Sequence, residues 1–124
     1  MPMADKKTVL ILDDDFNFKS LLENQLKKAT DHEIILASDG DQAWDLIGSQ
    51  AGKIDLIITD LIHSGLGGIE LPQLVKQKYP KIKIIICTGL PLLHDEFKKY
   101  SDAIIYKPFK FDDLLNATTR VLQE

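Results

Sequence analysis

Charged and polar side chains stand at the ends of several short apolar segments of this 124-residue chain. They are Asp13, Asp14, Asp60, Thr88 and Lys107. Carboxylates gathered at one place repel one another unless a cation joins them, and Mg²⁺ prefers a few carboxylates together with water. A bound Mg²⁺ and the ammonium of Lys107 can neutralise a transferring phosphoryl group. The set therefore indicates phosphoryl transfer, with Thr88 as hydroxyl donor and Asp60, the carboxylate from a separate segment, as nucleophile.

Each of these residues also has an ordinary structural explanation. An Asp at the end of a strand is commonly a turn former or a helix cap, and Asp15 is assigned only that role. A Lys before a Pro is commonly a solvated surface residue, and Thr88-Gly89 could be a simple loop start. The joint position of the set after four different segments is far more specific than any one member, and it favours the functional interpretation.

The segments that must position these side chains alternate between two kinds. The first kind is short, apolar and β-branched, and it is mostly uninterrupted, which is typical of strands covered on both faces of a parallel sheet. We predict strands at 8–12, 33–37, 54–59, 82–87 and 103–106. In open sheets of this kind, ligands bind beyond the carboxyl ends of the strands, where the candidate residues fall.

The second kind of segment has apolar residues at helical spacing, which predicts five helices. The stripes are Phe18, Leu21, Leu22, Leu26 and Ala29; Ala43, Leu46 and Ile47; Leu71, Leu74 and Val75; Leu93, Phe97 and Tyr100; and Phe111, Leu114, Leu115, Thr118, Val121 and Leu122. Asp15 and Asp39 are predicted N-caps, and Pro72 is predicted in the first turn of the third helix. Strand and helix alternate five times, which predicts an α/β fold with helices on both faces of a five-stranded parallel sheet.

Composition excludes several other classes of protein. The net charge of -4 argues against nonspecific binding of nucleic acid, which relies on clustered Lys and Arg. The apolar runs are too short to span a bilayer, and the polar N-terminus does not read as a signal peptide. The single cysteine, Cys87, excludes an intramolecular disulfide. We expect a soluble cytoplasmic protein without membrane contact, with a flexible segment at 1–7 and one domain at 8–124.

The sequence resembles the receiver domains of two-component response regulators. The stretches that carry the resemblance are Val9-Leu10-Ile11-Leu12-Asp13-Asp14-Asp15, Asp55-Leu56-Ile57-Ile58-Thr59-Asp60, Thr88-Gly89 and Lys107-Pro108-Phe109. The resemblance covers essentially the whole chain. It implies the flavodoxin-like receiver fold with strand order 2-1-3-4-5. It also implies a phosphoprotein of phosphorelay signal transduction that is not an enzyme, apart from catalysing its own phosphorylation and dephosphorylation.

The resemblance implies a role for each metal-site residue. Asp60 matches the phosphorylated aspartate, which also binds the metal. Asp14 matches the direct Mg²⁺ ligand, and Asp13 matches the acidic partner that acts mostly through water. The backbone carbonyl of Ile62 is a further implied ligand.

The resemblance also implies the phosphoryl contacts and the partners. Thr88 and Lys107 match the hydroxyl and the ammonium that meet the phosphoryl group. The donor would be a phosphohistidine on a sensor histidine kinase or a phosphotransfer protein. The signal would pass to a downstream effector protein or output domain through the fourth helix, fifth strand and fifth helix.

The sequence departs from the family pattern at several positions. The loop after Asp60 lacks the usual Met-Pro pair and carries extra glycines, which predicts a looser loop. Ile62 and Leu90 occupy the positions that tune phosphoryl lifetime, and since both are apolar we predict slow self-dephosphorylation. The switch position, usually Tyr or Phe, is Ile104, and the aromatic switch is not carried over to Tyr106 on the same side of the strand.

Two other classes of function remain open. A degenerate receiver would act as a protein-interaction module without phosphorylation; the altered loop favours it slightly and the intact acidic set argues against it. A flavodoxin-like cofactor binder would need a Gly-rich phosphate loop after the first strand, where this chain has Asp13-Asp14-Asp15-Phe16. An aspartate-based phosphatase would need a second acid beside its nucleophile, and Ile62 is not one.

Overall fold

A computed structural model describes residues 6–50, 52–60, 70–89 and 96–123. The elements in chain order are β1 (Thr8–Leu12), α1 (Phe16–Ala29), β2 (Glu33–Ala37), α2 (Gly40–Ser49), β3 (Leu56–Thr59), α3 (Glu70–Lys78), β4 (Lys83–Thr88), α4 (Glu96–Lys99), β5 (Ala103–Tyr106) and α5 (Phe111–Gln123). All neighbouring strands are parallel, and their order is β2-β1-β3-β4-β5. The predicted fold class and strand order are therefore confirmed.

The core consists of two apolar layers, one on each face of the sheet. Successive residues of a strand point to opposite faces, so β1 divides its side chains between the layers. Leu10 and Leu12 pack in a cluster with residues of α2 and α3, while Val9 and Ile11 pack in a second cluster with residues of α1 and α5. Because both faces are covered, apolar residues occupy consecutive positions, which is why the strands read as continuous apolar runs.

Helix starts follow the local chemistry of the sequence. Asp15 and Asp39 each accept a hydrogen bond from the backbone N–H three residues later, at 3.1 and 2.7 Å, so both predicted N-caps are confirmed. Pro72 is the third described residue of α3, and a Pro in the first turn of a helix is tolerated. The described part of the fourth helix is a single turn, and Leu93, which was predicted to belong to it, lies outside the described residues.

Two strands differ from their predicted bounds. β3 begins two residues later than predicted because the Oδ2 of Asp55 accepts the Thr8 N–H at 2.9 Å, so a side chain replaces a backbone acceptor at this end of the ladder. β4 begins and ends one residue later. The Ile82 N–H donates to the carbonyl of Tyr79 at 3.0 Å, which keeps Ile82 in the preceding turn.

Only two residues of the segment predicted to be flexible, Lys6 and Lys7, lie within the described part of the chain. The backbone N–H of Lys7 donates to Nδ1 of His32 at 3.1 Å, and its carbonyl accepts the Glu33 N–H at 2.8 Å. These bonds tie the entry of β1 to β2. His32 is half-buried by this arrangement.

Candidate functional site

Three strand ends converge at the carboxyl edge of the sheet. β1, β3 and β5 are followed directly by Asp13, Asp60 and Lys107. The hydrogen-bond ladder continues one residue past each of these ends: the Asp13 N–H donates to the carbonyl of Ala37 at 3.4 Å. The Asp60 N–H donates to the carbonyl of Leu12 at 3.2 Å, and the Lys107 N–H donates to the carbonyl of Thr88 at 2.8 Å. The sheet backbone itself therefore fixes where these side chains begin.

The ammonium of Lys107 lies between two carboxylates. Its Nζ donates to Oδ2 of Asp13 at 3.0 Å and to Oδ2 of Asp60 at 2.9 Å. The exposed fraction of the side chain is 25% for Lys107, 4% for Asp13 and 14% for Asp60. Burial acts to lower the pKa of Lys107, but the hydrogen bonds and charges of Asp60 and Asp13 outweigh it and raise that pKa. Lys107 therefore stays charged at neutral pH.

Both carboxylate oxygens of Asp13 accept hydrogen bonds, which hold the side chain in place. While Oδ2 accepts from Lys107, Oδ1 accepts the Asp15 N–H at 2.9 Å. Asp15 in turn caps α1, so the cap and the acidic site share one short loop. Asp14, between them in sequence, is exposed to solvent. Three consecutive carboxylates thus have different surroundings: Asp13 is buried in the site, Asp14 faces water, and Asp15 begins the helix.

An aromatic ring completes the surroundings of Lys107. The Nζ atom lies 4.2 Å from the ring centroid of Phe18, on α1. Phe18 also makes an edge-to-face contact with Phe109, with centroids 6.0 Å apart. The apolar spacing of the sequence predicts Phe18 only as a member of the α1 stripe and not as a neighbour of Lys107. The helical period could not reveal it, because the partner lies 89 positions further along the chain.

The remaining predicted site residues are placed as follows. Thr88 is fully buried at the end of β4, in register with Tyr106 of β5. Ile104 is half-buried, pairs with Ile86 and packs against the apolar layer that contains α2 and α3. Tyr106 is 49% exposed. Ile62 and Leu90 lie outside the described residues.

A divalent cation such as Mg²⁺ needs several oxygen ligands at one place. Within the described ranges, no three His, Cys, Asp or Glu side chains gather into a metal-binding group. Asp13 and Asp60 nevertheless each turn one oxygen toward the same cation, the Lys107 ammonium. Among these three described side chains, two carboxylates against one ammonium leave about one negative charge, which favours a further cation. The carboxylate oxygens of Asp13 and Asp60, together with the solvent-exposed Asp14, are ligands of the kind that Mg²⁺ takes. The residues present therefore fit this ion.

Burial also governs the one cysteine near the site. Cys87 precedes Thr88, is 2% exposed, and packs in the layer that contains α1 and α5. Desolvation raises the pKa of its thiol to about 12. The charge of Lys107 opposes the shift, and the carboxylates of Asp60 and Asp13 add to it. The thiol is therefore protonated and inert at neutral pH.

Comparison with known proteins gives a consistent result. The family model described as response regulator receiver domain matches residues 9–119. The probable transcriptional regulator ycf29 of Cyanophora paradoxa is 35% identical over 112 residues, which cover 86% of this chain and 52% of that protein. The response regulator receiver protein CpdR of Brucella abortus is 29% identical over 119 residues, which cover 94% of this chain and 97% of CpdR. The chain spans about half the length of the first two curated relatives it matches.

Solved structures share the same architecture. The response regulator protein TrrA of Thermotoga maritima, in complex with Mg²⁺-BeF, superposes with a TM-score of 0.83 at 28% identity, over 93% of this chain and 98% of TrrA. A CheY-like receiver domain protein of Methanospirillum hungatei gives a TM-score of 0.86 at 24% identity, over 96% of this chain and 95% of that chain, and shows the fold alone. No helix in the described part of this chain is long and apolar enough to cross a membrane.

Proposed function

The chain belongs to the response regulator receiver domain family of two-component signalling, and from that premise we propose that Asp60 accepts a phosphoryl group with the help of Mg²⁺. The observation that carries the proposal is the position of Lys107, whose ammonium lies within hydrogen-bond distance of both Asp60 and Asp13. A phosphoryl group transferred to Asp60 would meet a cation that is already in place. Such preorganised charge is the main source of catalysis in phosphoryl transfer.

In the proposed reaction, a carboxylate oxygen of Asp60 attacks the phosphorus atom of a phosphohistidine. The phosphorus–nitrogen bond breaks, and its electron pair stays on the imidazole nitrogen of the donor. The product is an acyl phosphate on Asp60 and a free histidine on a sensor histidine kinase or phosphotransfer protein. Lys107 stabilises the negative charge on the phosphoryl oxygens throughout. Mg²⁺, when bound, supplies the remaining positive charge.

The proposed metal ligands are Asp13, Asp14, Asp60 and the backbone carbonyl of Ile62. The buried position of Asp13 and the exposed position of Asp14 support a site with both protein and water ligands. The Thr88 hydroxyl is proposed as a further donor to the phosphoryl group. Thr88 is buried at the end of β4, and its backbone carbonyl accepts the Lys107 N–H; both observations agree with such a role.

The proposed output is a change of surface in a domain at 8–124. Acceptor oxygens added at Asp60 would draw Lys107 and Thr88 toward them, which biases the loops after β4 and β5. A downstream effector protein or output domain would read this change on α4, β5 and α5. With Ile104 in the switch position, the response would rely on those loops rather than on an aromatic side chain. Slow self-dephosphorylation, inferred from Ile62 and Leu90, and a cytoplasmic location stay predictions.

The test uses Mg²⁺ and acetyl phosphate, followed by intact mass. Wild type should gain one phosphoryl group, and hydroxylamine, which cleaves acyl phosphates, should remove it. Asp60→Asn should gain none. Asp112→Asn, which removes an exposed carboxylate from the first turn of α5, is the matched control and should behave as wild type. Omitting Mg²⁺ should abolish the reaction of wild type.

Two results would overturn the proposal. Equal phosphorylation of wild type and Asp60→Asn would place the acceptor elsewhere. No phosphorylation of wild type, with acetyl phosphate or with any phosphohistidine donor, would leave the phosphorylation-independent interaction module as the better explanation.

A further inference from the structure

Among the described residues, the Lys107 ammonium has three close neighbours, two of them charged and one aromatic. The carboxylates of Asp13 and Asp60 hold it at 3.0 and 2.9 Å, and the face of Phe18 lies 4.2 Å from it. A cation at this distance from an aromatic centroid is attracted by the negative face of the ring. The three contacts come from three separate elements, so together they define one position for a long and otherwise flexible side chain.

The ring itself is firmly located. Phe18 lies in the first turn of α1, and its N–H is the group that Asp15 caps at 3.1 Å. An edge-to-face contact with Phe109, at an interplanar angle of 83°, also holds the ring. Phe109 follows Lys107 by two residues, so the loop that carries the ammonium also contacts the Phe18 ring. Phe18 and Lys107 line one groove of about 450 Å³.

The ring differs from the carboxylates in one chemical respect. Phosphorylation would convert Asp60 into an acyl phosphate, and a bound metal would share the carboxylate oxygens of Asp13 and Asp60, so both charged contacts of Lys107 are subject to change during the reaction. The quadrupole of Phe18 takes no part in either event. The ring is therefore the one of these three described contacts that neither event alters chemically.

We propose that Phe18 is a positioning residue, which holds the Lys107 ammonium beside Asp60 so that it meets the incoming phosphoryl group; this inference rests on the proposed function. A leucine in its place keeps the apolar packing but loses the charged face. A tyrosine keeps the face. The contact thus predicts that the aromatic character of position 18, rather than its bulk, sets the rate of phosphorylation.

The first test measures the rate of Asp60 phosphorylation by acetyl phosphate and Mg²⁺ in the full chain. Phe18→Leu should slow it about fivefold, the value of a half-buried cation–aromatic contact, and Phe18→Tyr should restore it. Replacement of Phe18 by 3,4,5-trifluorophenylalanine, which keeps the ring and weakens its negative face, should fall between wild type and leucine. Phe111→Leu makes the same change in the same groove and should leave the rate unchanged.

The second test does not depend on phosphorylation. Urea unfolding of wild type, Phe18→Leu, Lys107→Met and the double variant forms a double-mutant cycle. The cycle should show coupling equivalent to about a fivefold change in the unfolding equilibrium constant. Additive effects would overturn the inference, as would a wild-type rate for Phe18→Leu or equal rates for the fluorinated and natural rings. A wild type that gains no phosphoryl group while the coupling is present would refute the proposed function, and with it the positioning role, but not the contact.

Discussion

Removing the ammonium from the acidic site should destabilise the protein and make its stability depend on Mg²⁺. In Lys107→Met, the methionine keeps most of the side-chain length, but Asp13 and Asp60 lose two charge-assisted hydrogen bonds of 3.0 and 2.9 Å. Such a bond contributes about 1.5–3 kcal/mol when buried. Because the Lys107 side chain is 25% exposed, we discount the pair to a total of about 2 kcal/mol. For a domain of this size that corresponds to a fall in Tm of about 8 °C.

The assay is urea unfolding followed by circular dichroism, first in EDTA and then with excess Mg²⁺. In EDTA the midpoint of Lys107→Met should lie well below that of wild type. Mg²⁺ should raise it by more than it raises wild type, because the ion binds the carboxylates without competition from the ammonium, and binding to the native state stabilises it by mass action.

Lys76→Met is the matched control. Lys76 also donates to a half-buried carboxylate, Asp102, at 2.7 Å, but this pair lies at the opposite edge of the sheet. Its loss should lower the midpoint without changing the response to Mg²⁺. The reasoning is refuted if Lys107→Met unfolds at the wild-type midpoint in EDTA, or if Mg²⁺ shifts both lysine variants equally.

Three further predictions concern the rest of the chain. Burial lowers the pKa of His32, with nearby Asp55 and Asp31 opposing it, so folded His32 binds its proton less well than unfolded His32. Its stabilising contribution is therefore present above the unfolded pKa of about 6.5 and is lost as pH falls through the lower folded pKa. Between pH 8 and 5, the urea midpoint of wild type should therefore fall by more than that of His32→Asn. Cys87, with a pKa of about 12, should not react with Ellman's reagent at pH 8 until the protein unfolds. Leu10→Ala should cost about 2–5 kcal/mol of unfolding free energy, because Leu10 is fully buried against α2 and α3.

Each of these has a clear contrary result. Parallel pH profiles for wild type and His32→Asn would show that His32 keeps its ordinary affinity for protons. Rapid labelling of Cys87 in native protein would show that its environment opens readily. A loss below about 1 kcal/mol in Leu10→Ala would mean that the layer collapses around the cavity instead of preserving it.

Much of the fold could be predicted because its determinants are local. The strands carry continuous apolar residues since both faces of the sheet are covered, and Asp15 and Asp39 mark the helix starts because each satisfies a backbone donor three residues away. The strand order was a different matter, since it came from the family resemblance. The predicted start of β3 was wrong because a non-local bond intervened, in which Asp55 takes the N–H of Thr8 across 47 positions. The predicted start of β4 was wrong because a turn bond from Ile82 to Tyr79 precedes the strand.

The residues of the candidate site likewise fall into those that local sequence patterns predict and those that they do not. Residue types and their placement after apolar segments sufficed to select Asp13, Asp60 and Lys107, because parallel strands end at a common edge. The pattern assigned Phe18 to the core and gave no sign of its contact with Lys107, because helical periodicity records only which face is apolar.

The sequence by itself determined which segments become strands and helices and which charged residues stand at their ends, since these depend on neighbours a few positions away. Only the tertiary structure decided that one ammonium lies between two carboxylates and over an aromatic ring. Those contacts join positions 47 to 94 residues apart, and their distances depend on strand register, on the angle at which α1 packs and on the path of the loop after β5. No local pattern of residues predicts the strand register, the packing angle of α1 or the path of this loop.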